Sequence, residues 1–177
     1  MWNPSQVDYL EVDPVTQEIF QQYKYALAYI GVDFDREDVQ AAVIGCSQGM
    51  EPAFQTTISY WIWKQNNYEK FEYPSAFIIK ALNQKWKPKS WYNEYLDNPK
   101  FKSPCQLWWE KAAEKLGKDV RNSLIADVAE KESGYQYILL RSGQTISLEI
   151  VNNWSWEKFY EYAIESNRQE EERIKRL

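Results

Sequence analysis

The sequence contains no histidine. That gap removes the commonest general base, the commonest metal ligand and every histidine-containing nucleophilic triad. Cysteine occurs only at Cys46 and Cys105, too few for a framework of disulfides, so a reduced, cytoplasmic setting is the simplest expectation. No uncharged apolar run approaches the length that crosses a bilayer. The start, Met1-Trp2-Asn3-Pro4, has neither the basic residues nor the apolar stretch of a signal peptide. No phosphate-binding P-loop and no tyrosine–histidine relaxase site is present.

The chain is instead rich in aromatic residues. Nine Trp and 13 Tyr bring the aromatic share to 16% of 177 residues. Many of these rings must form a core, and a surplus beyond it suits a contact surface. The formal net charge is −5, which argues against uniform coating of DNA by the whole surface. The charge is unevenly placed. Residues 1–40 hold eight acids against two bases, whereas Lys80–Lys102 holds six lysines against Glu94 and Asp97.

Helical spacing dominates the first part of the chain. Residues 1–13 read as an irregular arm. Asp13 and Pro14 then suit the cap and first turn of a helix whose apolar positions Ile19, Phe20, Tyr23, Leu27 and Ile30 share one face, with Gly31 ending it. Further helices are predicted over Arg36–Cys46 with Asp35 as cap, Pro52–Tyr68 and Ser75–Trp86, with a short piece at Lys89–Leu96. The stretch Asp97–Pro104, with two prolines and no periodicity, is the best boundary in the chain. Beyond it the pattern predicts helices over Pro104–Leu116 and Asp119–Glu130. Strands are predicted over 135–140 and 145–151, joined by a Ser142-Gly143 turn. A final helix from Ser155 runs into a charged tail that Glu171–Lys175 and Glu172–Arg176 pairs could hold.

Two motifs invite chemistry and fail on context. Gly45-Cys46-Ser47-Gln48-Gly49 matches a nucleophile elbow, but that geometry needs a preceding strand and a histidine, so a glycine-bracketed turn between helices is expected. Asp33-Phe34-Asp35-Arg36-Glu37-Asp38 opens like a calcium loop, yet Asp38 and Ile44 stand where glycine and glutamate are needed. Acids at a helix start explain it. No catalytic residue, metal site or cofactor is therefore expected, and no small-molecule ligand.

The segment Lys80–Lys102 is the most informative feature. Lysines that track phosphates, interleaved with rings that stack on bases, are how single-stranded nucleic acid is commonly held. Lys80, Lys85, Trp86, Lys87, Lys89 and Trp91 are the candidate nucleic-acid contacts. A solvated lysine face over core-closing rings is the competing explanation. Trp108-Trp109 places two rings on differently facing helix positions, one for the core and the other either packed against the first domain or free for a partner contact. Together with Trp154 and Trp156 these residues are the candidate contacts for a protein partner.

Tyr73-Pro74-Ser75-Ala76-Phe77-Ile78-Ile79-Lys80-Ala81-Leu82, followed by Lys85-Trp86-Lys87-Pro88, resembles a segment of plasmid- and phage-type replication initiators and of DnaD-like primosome proteins. Tyr73 departs from the asparagine usual at the first position. Leu107-Trp108 through Leu116, then Val120, Leu124, Ile125, the hairpin, Trp154 and Tyr160 follow an order similar to the small N-terminal domain of the DnaA initiator. That domain is a protein-contact module for helicase loading and self-association. The resemblance implies an accessory protein of DNA replication or a related DNA transaction, without enzymatic activity.

The expectation is an α+β protein, mainly helical, with a single β-hairpin near the C-terminus followed by a final helix. Residues 1–98 would form a helical domain and 99–177 a small helix–helix–hairpin–helix domain with a charged helical tail. It would act as a non-enzymatic adaptor that binds a protein partner and DNA through Lys80–Lys102, with no membrane contact. The alternative is a general protein–protein interaction regulator with no nucleic-acid role. Salt dependence separates the two, because phosphate contacts weaken steeply with salt.

Overall fold

The structure, a computed structural model, describes residues 13–131 and 133–177, so the expected arm over residues 1–13 falls almost entirely outside the described residues. The protein is α+β and mainly helical, as expected, and divides into two compact units between Lys102 and Ser103. The division falls inside the proline-containing stretch that marks the boundary in the sequence.

The first unit is built on α1 (Pro14–Ile30), α2 (Glu37–Ile44), α3 (Met50–Asn66) and α4 (Pro74–Asn83). Asp13 caps α1, its carboxylate accepting from the Thr16 backbone N–H at 3.0 Å, and Pro14 occupies the first turn where its missing N–H costs nothing. Asp35 does not cap α2. Arg36 holds the cap position without a side-chain bond, while Asp35 donates its own N–H to the Asp33 carboxylate in a turn. The short helix expected over Lys89–Leu96 is instead a 3-10 turn at Asn93–Asp97.

Burial follows the helical period. Phe20, Tyr23, Leu27 and Ile30 of α1 meet Phe54 and Ile58 of α3 and Ile78, Ala81 and Leu82 of α4 in one core. The Tyr23 hydroxyl sits in this core and is satisfied there. It donates to the Glu51 carboxylate at 2.8 Å and accepts from the Gln55 amide at 2.9 Å. Burial, together with the Glu51 carboxylate, pushes the Tyr23 phenol up to about 12.

This has a pH signature. An unfolded tyrosine ionises near pH ~10, whereas Tyr23 in the folded chain holds its proton to about 12. The contribution to stability is intact below about pH 10 and is lost as pH rises toward 12, by about 2–3 kcal/mol in the limit. Urea titrations of the wild type and of Tyr23→Phe at about pH 9 and about pH 11.5 isolate it. An identical alkaline loss in both proteins would count against the buried phenol as its source.

The second unit contains α5 (Pro104–Leu116), α6 (Lys118–Leu124), β1 (Ile125–Glu130), β2 (Gln136–Leu140), β3 (Thr145–Ser147), α7 (Leu148–Val151) and α8 (Trp156–Lys175). The expected hairpin is present as β2 and β3, turned at Ser142-Gly143 with Gly143 at φ 89°. A further strand pairs with it. Residues 125–130, which read as the second half of a helix, form β1 antiparallel to β2, with Ile125 opposite Leu140 and Val128 opposite Ile138. Ala126, Ala129 and Glu130 favour helix locally, but a register with β2 that buries Ile125 overrides that preference. A break in register between Ile125 and Asp127 blurs the alternation that would have marked a strand.

The other strand expectation is too long. Only Thr145–Ser147 is extended, and Leu148–Val151 coils into a helical turn. The turn buries Leu148 and Val151, three apart, and leaves Ile150 about half exposed. The core gathers Trp108 and Ala112 of α5, Ile125, Ile138, Leu140 and Phe159 of α8. The charged tail is helical to Lys175, held by Arg168 with Glu165 and Glu172 and by Arg173 with Glu170, rather than by the pairs expected from spacing. No helix among the described residues is long and apolar enough to cross a membrane.

Candidate nucleic-acid interface

Three helices of the first unit end in the same way. After α1 the chain turns through Gly31 at φ 117°, with the Val32 N–H donating to the Leu27 carbonyl and the Gly31 N–H to the Ala28 carbonyl. This is the Schellman arrangement, whose left-handed residue is usually glycine. After α3 the equivalent position is Tyr68 at φ 55°, and after α4 it is Lys85 at φ 54°. The same pair of hydrogen bonds closes both turns, Glu69 to Lys64 and Tyr68 to Gln65 in one, Trp86 to Ala81 and Lys85 to Leu82 in the other. Side chains at left-handed positions carry a backbone cost. Here that cost sets an almost fully exposed tyrosine (99%) beyond α3 and an exposed lysine beyond α4.

Between these two helix ends lies an open groove of about 500 Å³. Its half-buried rings are Tyr60 of α3, Phe71, Phe77 of α4 and Trp86, and its lysines are Lys64, Lys70 and Lys80, with Glu72 on the same lining. The rings are fixed by one another. Tyr60 stacks on Phe77 at 4.7 Å, Phe71 meets both edge-on, and Trp86 stands edge-on to Phe77 at 5.3 Å. Lys80 lies over the Trp86 ring at 5.8 Å. Lys64 is paired with Glu69 at 2.7 Å, which raises its ammonium above the ordinary lysine value. Lys70, Lys80, Lys85, Lys87 and Lys89 are all exposed, and no ion pair among the described residues neutralises them.

The candidates named from the sequence separate accordingly. Lys80 and Trp86 line the groove, and Lys85, Lys87 and Lys89 stand in solvent on the segment around Trp86. Trp91 belongs elsewhere. It packs on buried Tyr23 and on Tyr95, its indole N–H is bonded to the Asn93 side chain, and it is not part of the groove lining. The sequence reading missed Tyr60, Lys64, Lys70, Phe71 and Phe77. Their signal was the run of lysines and aromatics from Tyr60 to Phe77, divided there between two helices and a connection.

In the second unit Trp108 is only 7% exposed, stacked on Trp156 at 5.2 Å and edge-on to Phe159. It is a core residue and cannot be a partner contact. Trp109, Trp154 and Trp156 are half-buried. Arg121 lies 3.8 Å over Trp109, and Lys158 lies 4.5 Å over Trp154. The hollow beside Trp154 and Trp156 holds about 90 Å³, room for a few waters.

The turn Gly45–Gly49 lies between α2 and α3, as expected, with no strand before it. Burial raises the Cys46 thiol above its ordinary value, and the thiol donates to the Gln48 carbonyl. Among the described residues no three cysteines or carboxylates gather as a metal site. The chain matches no protein-family model, no curated protein and no solved structure. The interface is therefore read from its own geometry.

Proposed function

We propose that this chain is a non-enzymatic adaptor that binds nucleic acid through its first unit and a protein partner through its second. One observation carries the reading: Lys80, Lys85, Lys87 and Lys89 stand exposed and unpaired around Trp86, in a protein whose net charge is −5. An anion is what such a cluster attracts, and phosphate is the anion that lysines track along a chain. The resemblance of Tyr73–Pro88 to replication-initiator segments supports a role in DNA replication or a related DNA transaction. Two cysteines, Cys46 and Cys105, are too few for a framework of disulfides, which suits a reducing compartment, so the cytoplasm is the proposed location. The half-buried Trp109, Trp154 and Trp156 are the proposed partner contacts.

Affinity for a fluorescent oligonucleotide is expected to fall steeply with added salt. The triple charge reversal Lys85→Glu, Lys87→Glu, Lys89→Glu should lower it at least about tenfold and flatten the salt slope. These side chains are exposed, so the fold should survive the change. If wild type and triple variant bind alike at every salt concentration, the nucleic-acid reading fails. A protein regulator acting through the tryptophans of the second unit then takes its place.

A further inference from the structure

The lysines around Trp86 do not by themselves say what form of nucleic acid they meet. The groove beside them does. It sets the half-buried rings Tyr60, Phe71, Phe77 and Trp86 and the exposed ring of Tyr73 beside charged side chains, which suits a planar guest that carries charge at its rim. Lys64 is paired with Glu69, and Lys70 and Lys80 outnumber Glu72 on the rest of the lining, so a cationic guest is disfavoured and an anionic one favoured. Its volume, about 500 Å³, admits a nucleobase with its sugar. A duplex cannot supply that guest, because paired bases are stacked on one another and present only their edges in the grooves. An unpaired strand can, since every base has a free face and a phosphate on either side.

We propose that the groove between α3 and α4 is a subsite for single-stranded nucleic acid, taking one unstacked base against Trp86 and Phe77 and its flanking phosphates on Lys70 and Lys80. This rests on the nucleic-acid reading above and sharpens it. Lys85, Lys87 and Lys89 then continue the phosphate path beyond Trp86.

The test uses the full chain with labelled single strands of about 12 nucleotides, as DNA and as RNA, and a DNA duplex of the same length. Anisotropy measures affinity, and quenching of tryptophan emission reports stacking. At least one single strand should bind about tenfold or more tighter than the duplex. Trp86→Ala should weaken single-strand binding about tenfold and abolish the quenching, leaving the duplex unchanged. Because Trp86 packs on Phe77, Lys70→Glu serves as a second variant. Lys70 is exposed, so this variant should fold normally and lose single-strand affinity.

Equal affinity for strand and duplex, or single-strand binding indifferent to both variants, overturns the subsite while the nucleic-acid reading stands. No binding to any of the three probes overturns both. Competition by an acidic, tyrosine-containing peptide as strong as by unlabelled strand also overturns it, and assigns the groove to a protein segment.

Discussion

Trp108→Ala is expected to destabilise the second unit by about 3–5 kcal/mol, the range for removing a large buried aromatic side chain. The indole is 7% exposed, with Trp156 stacked on it and Phe159 against its edge, and it touches the centre of the only core cluster this unit shows among the described residues. Small domains have about 5–15 kcal/mol in all, so most of the margin would go. Trp109→Ala, one residue along, should cost far less. Trp109 is half-buried, and its main partner is the Arg121 guanidinium over its face. Urea denaturation followed by near-ultraviolet dichroism would compare them. Equal losses would mean that Trp108 does not hold the core.

Gly31→Ala is expected to cost about 2–3 kcal/mol, from two sources that add. The residue stands at φ 117°, beyond the left-handed region that other side chains tolerate. A Cβ there would also lie 3.2 Å from the Pro74 ring, which opens α4. The join is tight on its other side too, where the Asp33 N–H donates to the buried Ser75 hydroxyl at 2.9 Å. Gly143→Ala is the control. Gly143 is also left-handed, at φ 89°, but nothing lies within 4 Å of the position its Cβ would take. It should cost about 1 kcal/mol. If the two variants lose the same stability by thermal denaturation, the Pro74 contact contributes nothing and Gly31 is needed only for its backbone.

The candidate interface was half legible in advance. Lys80, Lys85 and Trp86 stand close together in the chain, and a local run of lysine and tryptophan is visible without coordinates. Tyr60 and Lys64 lie on α3, Lys70 and Phe71 on the connection, and Phe77 on α4. Only the packing of α3 on α4 brings their rings to 5 Å or so of one another. The reverse error occurred at Trp108, which is buried. An indole at a helical position or in a loop reads the same in core and on surface, because its chemistry suits both.

By itself the sequence determined the four α-helices of the first unit, a boundary stretch over 97–104, the β2–β3 hairpin and the amphipathic last helix. These depend on periodicity, caps and turn residues, which are local. The absence of histidine is equally complete in the sequence and by itself rules out a histidine-activated nucleophile at Gly45–Gly49. The tertiary structure decided the rest. It made a strand of Ile125–Glu130, because pairing with β2 and burying Ile125 outweigh a helical preference worth a few tenths of a kcal/mol per residue. It coiled Leu148–Val151 so that two apolar residues three apart face one core. It also sorted the tryptophans into core and surface and assembled the groove, since both depend on which side chains distant segments bring to one place.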